Sequence, residues 1–362
     1  MQPLIKYPGW KERESWIILS SLPKKIINYY EPFVWWWAIY FAMDKVKHHY
    51  INDKSEELIL LYTLIKKQDQ DFFSLLEDTN KERVSISDFV SKNLKLLHNL
   101  YNEKISIEEF VSQYWNKIFK HKFFPKELTK NLKSKLNRMK KLEQSKWKLS
   151  NEDVISNIEC AIRSAFYMTF RTIGNKAKEL KLSEQRIALC YFLMRNLCYS
   201  SMFRYNANWE FNVPYGWISY NSKDFSSKIN YYKSEELHQK LMNTDIYQKD
   251  FYDFVKGCNI KEDDFMFLDP PYDTEFSTYA WNEFWKEDQI RLANYLIKEC
   301  KANFMIVIKN TDFIRSLYKE GTLAVWWDKK LHVKLFDKHY MVSFQDRNDK
   351  DVEHLLITNY QI

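Results

Sequence analysis

The chain opens with strand and helix patterns in alternation. Ile26 to Val34 reads as a strand, Ala38 to Met43 as the start of a helix, Tyr50-Ile51-Asn52 as the end of a second strand, and Lys54 to Lys67 as an amphipathic helix. Such alternation predicts a parallel sheet with helices packed on it. From about 70 to 200 the pattern is helical throughout, with Leu128, Leu132, Leu136, Met139 and Leu142 on one apolar stripe. Arg204 to Tyr220 has no helical periodicity; its asparagines, aromatics and Pro214-Tyr215-Gly216 turn read as an irregular loop or hairpin. Strand and helix resume at Asp264 to Leu268, Lys286 to Lys301 and Asn303 to Ile308. His332 to Phe336, Met341 to Gln345 and His354 to Thr358 are candidate closing antiparallel strands. The expectation is an α/β domain built from residues 1–69 and 256–362, with a mainly helical insert at 70–255.

Composition narrows the class. A chain of 362 residues can bury a substantial core. No apolar stretch reaches membrane-spanning length, and Met1-Gln2-Pro3-Leu4-Ile5-Lys6 lacks the form of a signal peptide, so a cytoplasmic protein without a membrane partner is expected. Cys160, Cys190, Cys198, Cys258 and Cys300 are scattered and never form a CxxC pair, which argues against a disulfide framework and against a zinc site. A net charge of +7 is compatible with a polyanionic partner. Opposite the leucine stripe stand Lys130, Lys133, Lys135, Arg138, Lys140, Lys141, Lys146 and Lys148, either a solvated helix face or a surface for phosphates.

The most informative chemistry is Asp269-Pro270-Pro271-Tyr272, directly after the apolar run Phe265-Met266-Phe267-Leu268. The run reads as a buried strand and the prolines end it, leaving the acid at the carboxyl end, where open α/β sheets bind ligands. An exocyclic amine of a nucleic-acid base is a poor nucleophile because its lone pair is delocalised into the ring. A carboxylate and a rigidly held carbonyl accepting its N–H groups localise that pair, and a neighbouring ring can stack on a flipped base.

Other motifs accompany it in order. They are Lys6-Tyr7-Pro8-Gly9-Trp10-Lys11, Tyr30-Glu31-Pro32-Phe33-Val34, Ile51-Asn52-Asp53, Phe203-Arg204-Tyr205-Asn206, and Glu210-Phe211-Asn212-Val213-Pro214-Tyr215-Gly216. Together they resemble the Dam-type DNA adenine-N6 methyltransferases, which use S-adenosylmethionine; the resemblance is weakest between about 70 and 190. It implies a Rossmann-like methyltransferase sheet with an inserted target-recognition region, acting on double-stranded DNA as a monomer in a restriction-modification type of system. It implies cofactor contacts at Tyr7, Lys11, Phe33, Asp53 and Asp269, with Asp53 on the ribose. Asp53 can also cap the helix that begins after it. Catalysis is implied at Asp269, the Pro270 carbonyl and the Tyr272 ring, with no metal. Base reading is implied at Arg204, Tyr205, Asn206, Asn208 and Asn212, although asparagines also build turns. Cytosine N4 or adenine in RNA are targets of the same chemistry.

The chain departs from this pattern in one respect. It has 5 glycines against 13 tryptophans. At average usage of about 7% a chain of this length carries roughly 20 more glycines. Trp35-Trp36-Trp37 stand where relatives carry glycines in the cofactor loop. Trp10, Trp209, Trp217 and Trp281 also replace expected glycines, and Trp285 stands where Ser or Thr caps a helix. The pattern reads as an altered sequence with bulky side chains filling the cleft, or as an aromatic pocket for another ligand. Overpacking costs ~1–3 kcal/mol per side chain, so Trp35, Trp36 and Trp37 are expected to block S-adenosylmethionine. A catalytically inactive DNA-binding variant is the corresponding alternative.

Overall fold

In the computed structural model of this chain the described residues are 1–5, 12–34, 38–202, 204–271, 284–324, 329–339 and 351–362. They form two compact units: Met1–Lys67 with Phe203–Tyr205 and Ser234–Ile362, and Gln68–Met202 with Asn206–Lys233.

The first unit holds the sheet. In chain order its strands are β1 (Asn28–Glu31), β2 (His48–Asn52), β3 (Thr244–Tyr247), β4 (Phe265–Leu268), β5 (Asn303–Lys309), β6 (Leu323–Ala324), β7 (Lys329–Lys330), β8 (His332–His339) and β9 (Asp351–Thr358). Seven of them make one sheet in the order β3-β2-β1-β4-β5-β9-β8, while β6 and β7 form a separate ribbon. β1 pairs in parallel with β2 and β4, as do β2 with β3 and β4 with β5. β9 runs antiparallel to both β5 and β8. This mostly parallel sheet agrees with the Rossmann-like expectation. The strand order reverses between β1 and β4, which puts a ligand crevice at their carboxyl ends.

Helices α1 (Glu12–Ser20), α2 (Ala38–Ala42), α3 (Glu56–Lys66), α11 (Glu235–Met242), α12 (Phe251–Gly257), α13 (Lys286–Lys298) and α14 (Asp312–Leu317) belong to the same unit. α3 follows from its sequence: the Ser55 hydroxyl accepts the Leu58 N–H at 3.4 Å, Glu56 and Glu57 occupy the first turn, and Leu58, Leu61, Tyr62 and Ile65 form the buried face. Every residue of β4 is buried, as expected of a central strand read as an unbroken apolar run.

The sheet also takes in β3, a stretch that the sequence reading left inside the insert, and the second junction between units falls at Lys233 and Ser234. Thr244–Tyr247 has little apolar alternation; backbone pairing with β2 makes it a strand. The strands expected at His332 to Phe336 and His354 to Thr358 are found in β8 and β9, and Met341 to Gln345 lies outside the described residues.

Three buried polar side chains fix the strand ends. At the amino ends, Asp264 accepts the Asn28 N–H at 3.1 Å, the Asn28 amide at 2.8 Å and the Lys261 N–H at 2.8 Å. Asn359 accepts the Phe304 N–H at 2.8 Å and donates to the Ala302 carbonyl at 2.9 Å. At the carboxyl ends, Asn52 donates to the carbonyls of Pro32 and Lys249, both at 3.0 Å, and accepts the Lys249 N–H at 2.9 Å. Its own carbonyl accepts the Val34 N–H at 2.9 Å. One residue of β2 thus ties down the segments leaving β1 and β3.

The second unit is helical: α4 (Gln70–Lys92), α5 (Leu94–Tyr101), α6 (Ile107–Ile118), α7 (Phe124–Ser145), α8 (Asn151–Asn175), α9 (Glu184–Leu197) and α10 (Ser226–Tyr232). The expected stripe is on α7, where Leu128, Leu132, Leu136 and Met139 are buried and Leu142 is half-buried. On its opposite face Lys133 pairs with Glu108 at 2.6 Å, Lys140 with Glu103, and Arg138 lies over the Trp217 ring. Part of the cationic face is therefore engaged by the protein itself.

Replacing Asn52 by alanine removes three hydrogen bonds to backbone groups. The expected loss is about 2–4 kcal/mol of unfolding free energy in a denaturant titration, at ~0.5–1.5 kcal/mol per bond. A change below about 0.5 kcal/mol, the range of unremarkable surface substitutions, contradicts this role.

Candidate active site

β1, β2 and β4 end in Glu31, Asn52-Asp53 and Asp269, so parallel pairing brings three carboxylic acids to one edge of the sheet. All three are buried: Glu31 is 0%, Asp53 5% and Asp269 1% exposed. Glu31 accepts the Tyr29 hydroxyl at Oε2, 2.6 Å away, and its Oε1 has no hydrogen-bond partner among the described residues. Burial drives the Glu31 carboxyl well above the usual carboxylate range; the Tyr29 hydrogen bond opposes this, and the charges of Asp269 and Asp53 add to it. The Lys240 ammonium opposes this rise; Lys240 donates to the Met43 carbonyl and is brought down to about 8 by burial.

Burial also raises Asp53, to about 7, against the opposing N–H groups of Ser55 and Lys54. Its Oδ1 accepts the Ser55 N–H at 2.8 Å, while the N-cap of α3 is Ser55 rather than Asp53. Asp53 therefore shapes the approach to the helix without capping it.

The prolines after β4 are held from α13. Gln289, fully buried, donates to the Pro271 carbonyl at 2.8 Å. Pro270 is buried, and its carbonyl belongs to this fixed turn. Phe33 sits against Phe251 and Phe284, with ring centroids at 5.5 and 5.4 Å, as part of the core wall. Asp269, Pro270, Asp53 and Phe33 are thus gathered in the first unit. Tyr7, Lys11, Tyr272 and Trp35, Trp36 and Trp37 lie outside the described residues.

The expected base-reading segment is irregular. Arg204, exposed, and Tyr205, half-buried, group with the first unit, whereas Asn206, Asn208 and Asn212 group with the second. Asn206 builds a turn: its Oδ1 accepts the N–H groups of Asn208 at 3.0 Å and Glu210 at 2.9 Å, and its amide donates to Glu210 Oε2 at 2.9 Å. The stretch holding Asn212 is pinned by α8. The Tyr167 hydroxyl donates to the Val213 carbonyl at 2.8 Å, and Asn175 exchanges two hydrogen bonds with the Phe211 backbone, at 3.0 and 2.9 Å. Buried Arg83 and Arg195 also donate to carbonyls of the loop, at Tyr220 and Lys223 and at Ser201 and Met202.

Sequence reasoning did not single out Glu31, Asn52 or Gln289 as site residues. Glu31 carried a usable signal, an acid inside an otherwise apolar strand run. Gln289 carried none, because an amide on an amphipathic helix is unremarkable. Among the described residues no group of three or more His, Cys, Asp or Glu is arranged to hold a metal ion, and no helix is long and apolar enough to cross a membrane.

Residues 152–332, half of the chain, match the family model of the D12 class N6 adenine-specific DNA methyltransferases. The chain belongs to this family. This chain is 36% identical over 174 residues to the type II methyltransferase M.CviBI of Paramecium bursaria Chlorella virus NC1A, covering 48% of this chain and 61% of that protein. It is 29% identical over 206 residues to M.MjaIII of Methanocaldococcus jannaschii, covering 55% and 65%. With the Retron Ec67 DNA adenine methylase of Escherichia coli it shares 27% over 166 residues, covering 45% and 55%. The chain thus spans between 55% and 65% of the length of these relatives.

The raised Asp53 gives a pH prediction. Between the ordinary carboxylate pKa, about 4, and about 7 the native state holds a proton that the unfolded chain has released, so stability falls as pH rises through this window. Asp53→Asn keeps the acceptor for Ser55 and abolishes the ionisation. Unfolding free energies at pH 4.5 and pH 8 should show a gain on the order of 2–4 kcal/mol at the higher pH only. Equal effects at both values rule out a raised Asp53.

Proposed function

We propose that this fold transfers a methyl group from S-adenosylmethionine to N6 of an adenine flipped out of duplex DNA, in a restriction-modification type of system. The observation that carries the reading is the rigid Asp269-Pro270-Pro271 turn at the reversal of strand order, beside Glu31 and Asp53. When bound, S-adenosylmethionine supplies an electrophilic methyl on a cationic sulfur. Three buried acids, one with a free oxygen, suit a ligand bearing a sulfonium and an ammonium. Asp53 accepts from the ribose hydroxyls, and Phe33 walls the site.

Asp269 and the Pro270 carbonyl accept the two N–H groups of the adenine amine. This localises the nitrogen lone pair as the new carbon–nitrogen bond forms and the carbon–sulfur bond breaks; the surplus N6 proton leaves on the acceptor side. Tyr272 stacks on the flipped base, and Tyr7 and Lys11 meet the cofactor. Arg204, Tyr205, Asn206, Asn208 and Asn212 face the target DNA. Asn206 is also a turn builder, so its substitution weakens recognition through loop shape as well as contact.

Trp35, Trp36 and Trp37 stand in the sequence where the cofactor loop of relatives carries glycines, so the tryptophan-bearing chain should bind S-adenosylmethionine weakly. Titration calorimetry is expected to show no tight stoichiometric binding until Trp35→Gly, Trp36→Gly and Trp37→Gly are combined. Tight binding by the unchanged chain defeats the blockage. Activity is read with tritiated cofactor and duplex DNA on the triple-glycine chain. The labelled nucleoside should be N6-methyladenine, and Asp269→Ala should lower the rate on the order of 100-fold or more, as for loss of one preorganised group. Labelled N4-methylcytosine, label in RNA only, or duplex binding without transfer points instead to another target or to a DNA-binding protein.

A further inference from the structure

The described tryptophans of this chain are not placed as tryptophans usually are. Indole is among the largest apolar groups, and folded proteins bury it to a high average degree. Here the core is made by Tyr29, Tyr30, Phe33, Tyr40, Phe41 and their like, and not one of the described tryptophans is buried. Trp209, Trp217 and Trp285 are 53%, 51% and 60% exposed.

Backbone geometry at one of them is that of glycine, and a second stands at a helix cap that suits glycine better than indole. Trp209 has φ of +60°, in the left-handed region, and closes the Asn206 turn with its N–H on the Asn206 carbonyl at 2.9 Å. For a bulky residue that conformation is an outlier costing ~1–2 kcal/mol, with no buried ring in compensation, whereas glycine adopts it freely. Trp285 is the N-cap of α13, where an indole offers no oxygen to the first-turn N–H groups and glycine ranks with threonine. Asp288 makes the return contact, accepting the Trp285 N–H at 3.2 Å, so the rest of a capping arrangement is in place around the wrong residue.

By their place in the chain Trp35 to Trp37 also fall where glycine is expected. They join Val34, which follows β1, to Ala38, which begins α2, beside the reversal of strand order. A first strand-to-helix turn there brings backbone close to a ligand and relies on glycine. Trp115 is the internal contrast: it is half-buried within α6, where glycine costs about 1 kcal/mol.

We propose that Trp35, Trp36, Trp37, Trp209 and Trp285 stand at glycine positions, and that the polypeptide made in its own cell carries glycine at them because their codons are decoded as glycine. One decoding rule is sufficient. UGA, a tryptophan codon in some genetic codes, differs from the glycine codon GGA only in its first base. Independent substitutions would need separate events, three of them at adjacent codons. A rule of this kind spares positions encoded by UGG, which accounts for a tryptophan at Trp115. It also accounts for part of the shortage of glycine in so long a chain.

The test is tandem mass spectrometry of the protein isolated from the cell that encodes it. Tryptic peptides 26–45, 205–223 and 262–286 report on all five positions, and 105–117 on Trp115. Glycine at 35, 36, 37, 209 and 285 with tryptophan at 115 is the expected result; tryptophan at 209 and 35–37 overturns the proposal. This readout does not depend on the proposed methyl transfer. A glycine-bearing chain that methylates no adenine would overturn that reading and leave this one standing.

Discussion

One buried amide holds the site edge of the sheet together. Asn52 leaves β2 and bonds to the backbone beyond β1 and beyond β3, so three parallel strands end in register with their exits fixed. A parallel sheet has no turn to set where its strands stop, and each exit carries carbonyl and N–H groups that must find partners when buried. The Asn52 side chain meets several of them at once. Without it the Pro32 carbonyl and the Lys249 backbone lose the partner that ties the exits of β1 and β3 to β2.

What this fixed edge holds is unfavourable by itself. Three acids share a poorly solvated corner, where Lys240 is the cation acting on Glu31 among the described residues. Burial alone raises two of the acids, and mutual repulsion raises Glu31 further. A fold tolerates such a corner when apolar burial elsewhere is ample, here the continuous core beneath β4 and β5, and when the corner serves a ligand. A cationic ligand relieves the strain, because it favours the charged forms that burial opposes. The proposed cofactor has that charge, and the turn that follows the proposed acceptors Asp269 and Pro270 is held by Gln289 at the Pro271 carbonyl.

Much of this was legible in the sequence, and for physical reasons. β4 is an unbroken apolar run stopped by two prolines, and such a run at a sheet centre has no other reading. α3 and α7 carry their caps and stripes openly. Less was legible where tertiary pairing overrides local pattern: Thr244–Tyr247 becomes a strand because β2 offers it an edge. Asn206 shows a residue type with two meanings, a base reader by family resemblance and a turn builder by its hydrogen bonds. Asp53 resolves differently, since Ser55 takes the cap and leaves one Asp53 oxygen outside that bond. Trp209 was flagged from sequence as a misplaced glycine, and its backbone has the conformation that glycine supplies. Gln289 and Asn52 escaped notice because what they do depends on carbonyls distant in the chain.

The proposed methyl transfer requires that the acid corner be the cofactor site. The most direct measurement is a crystal structure of the chain with glycine at 35–37, soaked with S-adenosylhomocysteine. The expected result is a ligand at the carboxyl ends of β1, β2 and β4, its ribose hydroxyls on Asp53 and its amino group against the acids Glu31 and Asp269. A ligand bound elsewhere on the first unit, with these three side chains untouched, contradicts it.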